Sequence, residues 1–198
     1  MNSSFGPVVR IDAVVLAAGS SSRMGAVNKL VVPVDGVPMV RRVIDAAQSS
    51  RVERTFVVVR PGADEVCDCI SEDVTVLVNE DAELGMSTSV RTGLEATDAD
   101  GVVILLGDMP WIRADLIDTL IDAFEIGRVC VPTTEGRRGN PVLWSRELFG
   151  ELADVDGDRG GRDLVDRGGD RVRWVDVGTD AILRDVDRPT DLHESPGP

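Results

Sequence analysis

The sequence contains few histidines and cysteines, the residues on which several common catalytic, disulfide and metal sites depend. Its only histidine, His193, lies in the C-terminal stretch HESPGP, which argues against a histidine-dependent catalytic triad. The three cysteines cannot all pair, and Cys67 and Cys69 lie two apart on a predicted helix, where they face different directions. That spacing suits neither a disulfide nor a metal site. We therefore expect these residues and Cys130 to be structural thiols in a reducing cytosol.

Other absences narrow the cellular setting. No apolar run reaches the ~18 residues that a membrane-spanning helix needs. The start MNSSFGPVVR lacks the basic and then apolar segments of a signal peptide. The net charge of −14 argues against nucleic acid or an anionic membrane surface as a partner, since both require basic patches. We therefore expect a cytoplasmic protein without nucleic-acid or membrane partners.

Lysine is almost absent, and its one occurrence is informative. Lys29 lies in LAAGSSSRMGAVNKL, residues 16–30, a Gly- and Ser-rich loop after the first predicted strand. An ammonium is a compact charge on a flexible stem, whereas the guanidinium used elsewhere in the chain is a broad fork. The position therefore favours a site that only the compact cation fits. The alternative is that Lys29 survived by chance in a lysine-poor composition.

The loop around Lys29 has the features of an anion site. Gly19 and Gly25 let the backbone approach a ligand closely, and successive backbone N–H groups in such a turn can surround an anion. Arg23 can bind phosphate oxygens with its fork, and Lys29 can reach the outer phosphates. The loop is not a Walker loop, since GK[ST] is absent, nor a dinucleotide fingerprint, since G-x-G-x-x-G is absent. A simple strand-exit turn is the alternative.

Apolar runs and helical patterns alternate along the 198 residues, which predicts one domain with a core over about 11–192 and short flexible termini. The predicted strands are Ile11–Ala17, Thr55–Val59, Val74–Val78, Val102–Leu106, Arg128–Val131, Val142–Trp144 and Val172–Val177. The predicted helices are Val37–Gln48, one that begins at Pro61, Met86–Ala96 with Ser87 as its N-cap, Ala114–Ile126, Arg146–Ala153 and Arg162–Asp166. This alternation predicts an α/β fold with a mostly parallel sheet covered on both faces.

In such a sheet, ligands bind beyond the carboxyl ends of the strands. Asp108 follows the fully apolar fourth strand, in LLGDMP, where an unpaired carboxylate would be costly. A Mg²⁺ ion would remove that cost, because Mg²⁺ takes one or two carboxylates plus substrate phosphates. We expect the second carboxylate from Asp185-Val186-Asp187, with Asp187 as the candidate. The alternative for Asp108 is a turn-forming role before Pro110.

Three further segments fit a binding groove. Asn79 follows the third strand, and Ser87 lies at the start of the next helix, where backbone N–H groups attract anions. The amide of Asn140, in the turn GNP, could read a heterocycle. The loop GDRGGR, residues 157–162, contributes Arg162, although an ordinary polar loop is an equal alternative.

In chain order, LAAGSSSRMG…NKL, N…GMSTS, LLGDMP, GRRGNP, GDRGGR and DVDRP resemble the motifs of the MobA-like NTP transferase family. Within it, they are most similar to the molybdenum cofactor cytidylyltransferases. The resemblance runs from about Ile11 to Leu192 and implies a three-layer α/β/α Rossmann-like nucleotidyltransferase fold.

The resemblance also implies roles for single residues. Those expected to bind the nucleotide are Leu16, Ala17, Ala18, Gly19, Arg23, Lys29, Asn79, Ser87 and Asp108. Of these, Arg23, Lys29 and Asp108 are expected to be catalytic. Asp108 and Asp187 are expected to hold Mg²⁺, and Asn140 and Arg162 to bind the acceptor.

The implied reaction is transfer of CMP from CTP to molybdenum-bound molybdopterin, with release of pyrophosphate. Relatives that transfer a guanylyl group carry LAGG where this sequence has LAAG, so Ala18 favours CTP over GTP. The residue after DVD is usually threonine, whereas here it is Arg188, a departure that concerns the acceptor. The implied partners are CTP, the molybdopterin cofactor and a client molybdoenzyme.

Three other functions stay open on this sequence. A nucleotidyltransferase that acts on a sugar phosphate or a polyol phosphate would use the same loops. An NAD(P)H-dependent reductase on the same scaffold has no support from a dinucleotide fingerprint, although the fold does not exclude it. A non-catalytic molybdenum cofactor chaperone would bind the cofactor without releasing pyrophosphate.

Overall fold

The structure, a computed structural model, describes residues 9–19, 28–155, 157, 161–187 and 191. Among them, no helix has the length and the apolar character that crossing a membrane requires. His193 lies outside the described residues.

Most strands begin and end within a residue or two of the predicted bounds. They are β1 Ile11–Leu16, β2 Pro33–Val34, β3 Val37–Pro38, β4 Thr55–Val59, β5 Thr75–Val78, β6 Gly101–Leu106, β7 Val129–Thr134, β8 Arg137–Arg138, β9 Val142–Ser145 and β10 Val172–Asp176. The two-residue strands β2, β3 and β8 were not predicted, because so short a segment carries no periodicity.

The helices are α1 Met39–Gln48, α2 Asp64–Cys67, α3 Met86–Ala96, α4 Ala114–Asp122, α5 Phe149–Ala153 and α6 Arg162–Arg167. The bounds of α3 agree with the prediction. Helix α4 ends at Asp122 instead of Ile126. The N–H of Ala123 is shared between the carbonyls of Thr119 and Leu120, and that of Phe124 bonds three residues back to Ile121, which closes the last turn.

Seven strands form the main path of the sheet in the order β10-β7-β9-β6-β1-β4-β5, and β8 pairs with β7. Strands β6, β1, β4 and β5 are parallel neighbours, and β7 pairs with β10 in parallel. Only β9 and β8 pair antiparallel in this sheet. The prediction of a mostly parallel sheet is confirmed, and β6 lies at the centre of the main path.

Both faces of the sheet are covered, which gives three layers. Along β1, Ala13 and Val15 pack against α1 and α4, whereas Val14 and Leu16 pack with α3 and α6 on the other face. This alternation follows from the strand period of two. Since each face is buried, the strands read as continuous apolar runs, which is typical of parallel sheets. The α/β prediction is confirmed.

Two predicted helix starts were wrong. Val37 and Pro38 pair with β2 instead of starting α1. The ring of Pro38 disfavours the helical conformation of the residue before it, Val37. Pro61 does not begin a helix either. It lies in a turn with Gly62, whose φ of 71° breaks the helical path, and α2 starts only at Asp64.

The predicted N-cap of α3 was also wrong. The cap position is Gly85, whose φ of 115° suits glycine, and no side chain caps the helix there. Ser87 lies instead in the first turn and is buried.

The cysteines are free thiols, as expected. Cys69 lies beyond the end of α2. The prediction that it shares a helix with Cys67 was therefore wrong. Cys130 is fully buried in β7, and burial raises the pKa of its thiol to about 11. A thiol of that pKa is unreactive at neutral pH.

Candidate functional site: a carboxylate cluster between two clefts

Charged side chains from three segments meet at the carboxyl edge of the sheet. The Nζ of Lys29 lies 2.7 Å from Oδ2 of Asp108 and 2.9 Å from Oδ1 of Asp187. Asp185 completes the group, since one oxygen of each of the three carboxylates lies within 4.8 Å of the others. The structure thus brings together Lys29, Asp108 and Asp187, which the sequence placed up to 158 residues apart.

Asp108 is held by the close approach of two strand exits. The N–H of Gly107 donates to the carbonyl of Leu16 at 2.9 Å, and a Cβ on Gly107 would lie only 3.0 Å from that oxygen. On the other side of the loop, Arg42 donates to the carbonyl of Pro110 at 3.1 Å and to that of Val34 at 3.0 Å. The carboxylate is therefore carried by a loop fixed at both ends.

Asp185 and Asp187 are aimed at the site by the residue between them. Val186 is fully buried among Val34, Met39 and Trp111. Its N–H donates to the carbonyl of Asp108 at 2.9 Å, which ties the two acidic segments together. Because neighbouring side chains on an extended backbone point to opposite sides, burying Val186 turns both aspartates toward the site.

The cluster is strongly polar and opens to solvent on the side of Asp185, which is exposed, whereas the side chains of Lys29, Asp108 and Asp187 are 17%, 21% and 39% exposed. Burial alone would lower the pKa of Lys29, but the hydrogen bonds and charges of Asp108 and Asp187 outweigh it and raise that pKa. Partial desolvation, reinforced by the charges of Asp108 and Asp187, raises the pKa of Asp185, although the residue is exposed on one side.

The donor set fits a hard divalent cation. Three carboxylates surround one ammonium in the described part of the chain, so the cluster carries excess negative charge. Carboxylate oxygens are the ligands that Mg²⁺ and Mn²⁺ prefer. Such a cation would lie close to Lys29.

Two clefts meet at this cluster. The first, of about 680 Å³, is lined by the exits of β1, β4 and β6 and by the segment before α3. The second, of about 440 Å³, lies between β9, the start of α6 and the loop before Asp185. They share Met86 and Leu106, and Asp108 lines the first while Asp185 lines the second. Two ligands, one in each cleft, would therefore approach each other at the carboxylates.

Most residues predicted to bind nucleotide belong to the first cleft. Those that line it are Leu16, Ala18, Gly19, Lys29 and Asp108. Ala17 is instead packed into the core beneath the loop. Arg23, predicted to be catalytic, and Arg188, the departure from the usual threonine after DVD, fall outside the described residues.

Asn79 and Ser87 are buried, 3% and 5% exposed, and do not line the cleft. The amide of Asn79 donates to the hydroxyls of Thr88 and Ser89 at 2.9 Å each, and its oxygen accepts from the N–H of Asp81. All its strong donors and one acceptor site are thus engaged inside the protein. This bonding fixes the end of β5 to the start of α3, and a direct nucleotide contact by Asn79 or Ser87 stays a prediction.

Asn140 and Arg162 both line the second cleft. The N–H of Asn140 donates to the carbonyl of Ile182 at 2.9 Å, and the Asn140–Pro141 peptide bond is cis. A Cβ on Gly139 would overlap that same carbonyl oxygen, so only glycine permits this approach. The contact holds Asn140 beside the segment that leads to Asp185.

Sequence reasoning missed several lining residues. Arg60 lines the first cleft, and Arg137 and Arg138 line the second, where Arg138 also pairs with Asp166. Arg60 could have been found, because it follows β4 just as Asn79 follows β5. Arg137 and Arg138 gave no signal, since their strand is too short to predict.

The model of the MobA-like NTP transferase domain matches residues 13–172. An Rv0371c homologue from Mycobacterium sp. strain JC1 has a similar structure, with 32% identity, 92% coverage of each chain and a TM-score of 0.84. The complex of Rv0371c with manganese from Mycobacterium tuberculosis H37Rv is 28% identical, with coverage of 92% and 96% and a TM-score of 0.80.

Among curated proteins, the bifunctional protein GlmU of Pseudomonas aeruginosa is 38% identical over 112 residues. The match covers 56% of this chain but only 25% of that protein. This chain is therefore similar to one part of GlmU.

Proposed function

The chain belongs to the MobA-like NTP transferase family, and on that premise we propose that it transfers CMP from CTP to molybdenum-bound molybdopterin, releasing pyrophosphate. Nucleotidyl transfer is the reaction type of the family, whereas CTP and the acceptor are the proposed specificity. The observation that carries the proposal is the meeting of two clefts at the Lys29 and carboxylate cluster. The choice of CTP is supported by Ala18 in the LAAG loop, which lines the first cleft.

In the proposed reaction, an oxygen of the acceptor phosphate attacks the α-phosphorus of CTP. The bond between that phosphorus and the bridging oxygen of the β-phosphate breaks, and pyrophosphate leaves. A phosphate nucleophile is already anionic at neutral pH, so the chain needs no general base, which agrees with the scarcity of histidine. Catalysis then reduces to in-line positioning and charge neutralisation.

Lys29 supplies fixed positive charge at the floor of the nucleotide cleft. Its hydrogen bonds to Asp108 and Asp187 also keep these carboxylates together. Asp108, Asp187 and Asp185 would hold a Mg²⁺ ion, and when bound that ion neutralises charge on the α-phosphate and on the leaving pyrophosphate. The manganese in the similar Rv0371c structure supports a divalent cation for this chain.

The acceptor would occupy the second cleft, with its phosphate toward Asp185 and its body over the apolar floor. Asn140 and Arg162 offer an amide and a guanidinium at the rim. The same cationic rim would suit a sugar phosphate or a polyol phosphate, which is the second candidate class of acceptor.

A thermal-shift screen tests the nucleotide. CTP, GTP, ATP and NADPH are each added with and without Mg²⁺, and a ligand at about 100 times its Kd stabilises the fold by about 2.7 kcal/mol. We expect a Mg²⁺-dependent shift with CTP. A shift with GTP instead would contradict the role of Ala18, and a shift with NADPH alone would favour a reductase.

Pyrophosphate release then tests the acceptor. The protein is incubated with CTP, Mg²⁺ and either molybdenum-loaded molybdopterin or a panel of sugar and polyol phosphates. Release of pyrophosphate only with molybdopterin supports the proposal. Release only with a member of the panel would identify that compound as the acceptor instead. Binding of the cofactor without any release would favour the chaperone.

A further inference from the structure

We propose that Arg60 and Glu80 recognise the base of the bound nucleotide and favour cytosine over uracil, an inference that rests on the proposed function. Both residues line the first cleft, at the side away from Asp108. Neither was among the residues that the sequence motifs assigned to the nucleotide.

Arg60 is unusual among the described arginines. Most of them donate to a carbonyl or pair with a carboxylate, for example Arg42 and Arg54. Arg60, Arg137, Arg162 and Arg173 are the described exceptions, and the first three line a cleft. In a chain with 35 acidic residues, a missing partner is not due to a lack of carboxylates. These cleft arginines are therefore available to bind ligands.

The strand order places Arg60 at the distance of a base. Asp108 follows β6, and Arg60 follows β4, with β1 between them. Two strand spacings separate their backbones by about 10 Å, which is the span of a nucleoside. A nucleotide whose α-phosphate lies at the carboxylate cluster can thus extend its base toward Arg60.

Glu80 lies beside Arg60 because β4 and β5 are paired. Val59 is opposite Val78 in the parallel register, so Arg60 comes opposite Asn79, one residue before Glu80. The N–H of Asn79 donates to the carbonyl of Val59 at 2.8 Å and fixes the two exits together. No salt bridge joins Arg60 to Glu80 among the described contacts, so the two opposite charges can act on a ligand separately.

This pair matches the hydrogen-bonding edge of cytosine. Cytosine offers two neighbouring acceptors, O2 and N3, to a guanidinium, and an amino group, N4, to a carboxylate. Uracil has an N–H at position 3 and a carbonyl oxygen at position 4. That oxygen would face the Glu80 carboxylate, which has no proton to donate. Glu80 should therefore act against UTP by repulsion as well as for CTP by attraction.

The test is the ratio of the Kd values for CTP and UTP, measured by calorimetry with Mg²⁺ on the full chain. A well-made bidentate or charged contact discriminates by about tenfold or more. We expect Glu80→Gln to bind UTP more tightly than the parent protein, because an amide can donate to O4. We expect Arg60→Gln to weaken CTP about tenfold. A gain in UTP affinity cannot result from misfolding.

Three controls match these variants. Arg173→Gln removes an exposed arginine that also lacks a side-chain partner but lies on β10, away from the cleft. Glu95→Gln removes an exposed glutamate of α3, and Glu83→Gln removes a second carboxylate that lines the same cleft. All three should leave the CTP to UTP ratio unchanged.

The outcomes separate this inference from the proposed function. If the parent binds CTP but Glu80→Gln leaves the ratio unchanged, the base assignment is wrong while nucleotidyl transfer stands. It is also wrong if Glu83→Gln alone changes the ratio, or if Arg60→Gln weakens CTP and UTP equally, as loss of a phosphate contact would. If the parent binds neither nucleotide with Mg²⁺, the proposed function fails and this inference fails with it.

Discussion

Strand β1 has a charged cluster at each end, and the two clusters are built differently. At the amino end, Asp12 is fully buried, and both its oxygens accept from Arg54. The hydroxyl of Thr97 donates to the same carboxylate. At the carboxyl end, Lys29 is shared by Asp108 and Asp187, and Asp185 lies beside them with no cation of its own in the described cluster.

The difference agrees with a structural role for the amino-end cluster and with the binding role that we propose for the carboxyl-end cluster. Asp12 is satisfied by two neighbours inside the chain, and the Arg54 guanidinium also lies over the ring of Phe56, 5.4 Å from its centre. The hydrogen bond to Asp12 is the main reason that the pKa of Arg54 is raised. At the carboxyl end, excess negative charge is left for a ligand to neutralise, as expected of a site that is stabilised only when occupied.

Removing Lys29 should give the largest effect on function and break the carboxyl-end cluster. Loss of one electrostatic donor typically lowers the rate by about 10²–10³, so we expect that loss for Lys29→Ala in pyrophosphate release. Lys29→Arg should lose nearly as much of the rate, because a planar guanidinium does not replace a compact ammonium between two carboxylates. Either variant with full activity would contradict the role of Lys29. Circular dichroism should show that both variants are folded.

Removing Arg54 should break the amino-end cluster and affect stability instead. Arg54→Met leaves Asp12 buried without its cation, which typically costs at least about 3 kcal/mol. Because the Arg54 side chain is 43% exposed, water can replace part of the interaction, so we expect a value at or somewhat below that figure. Chemical denaturation measures it, with Arg173→Met as the matched control. A variant as stable as the parent would show that Asp12 needs no cationic partner beyond the hydrogen bond from Thr97.

Replacing Asp185 should sharpen the contrast, since it relieves repulsion in the binding cluster. We expect Asp185→Asn to raise the metal-free unfolding temperature, because one of three neighbouring carboxylates becomes neutral. The same change should raise the Mg²⁺ concentration needed for turnover by about tenfold. Asp154→Asn, an exposed change outside both clefts, is the control. A lower unfolding temperature without metal would mean that Asp185 stabilises the fold.

The sequence predicted the carboxyl-end cluster better than the amino-end one. Asp108 and Lys29 were found because a strand exit and a glycine-rich loop are local patterns with a known chemistry. Asp12 gave no signal, since its partners Arg54 and Thr97 come from other segments and only the fold brings them together. Asp185 belongs to the segment from which the second carboxylate was expected, but Asp187 alone was chosen, because the direction of Asp185 depends on the burial of Val186 between distant elements.

Local backbone chemistry explains the other differences. The start of α1 and the N-cap of α3 were predicted wrongly, because Pro38 and Gly85 set conformations that apolar periodicity does not reveal. Thr55–Val59 and Met86–Ala96 were predicted without error, because a strand followed by a glycine turn and an amphipathic helix after a glycine each have a clear boundary.

Acid should weaken the amino-end cluster through Asp98, with the smallest effect of the four. The hydrogen bond from Arg54, with the charge of Arg10, holds the pKa of Asp98 below its ordinary 3.8. A lowered pKa in the folded state means that the stabilisation is complete above 3.8 and is lost as the pH falls through the folded value. Asp98→Asn should therefore lose less stability than the parent below pH 3.8, whereas the exposed control Asp170→Asn should follow the parent. Equal acid profiles for the parent and Asp98→Asn would show that Asp12 alone is the partner that Arg54 needs.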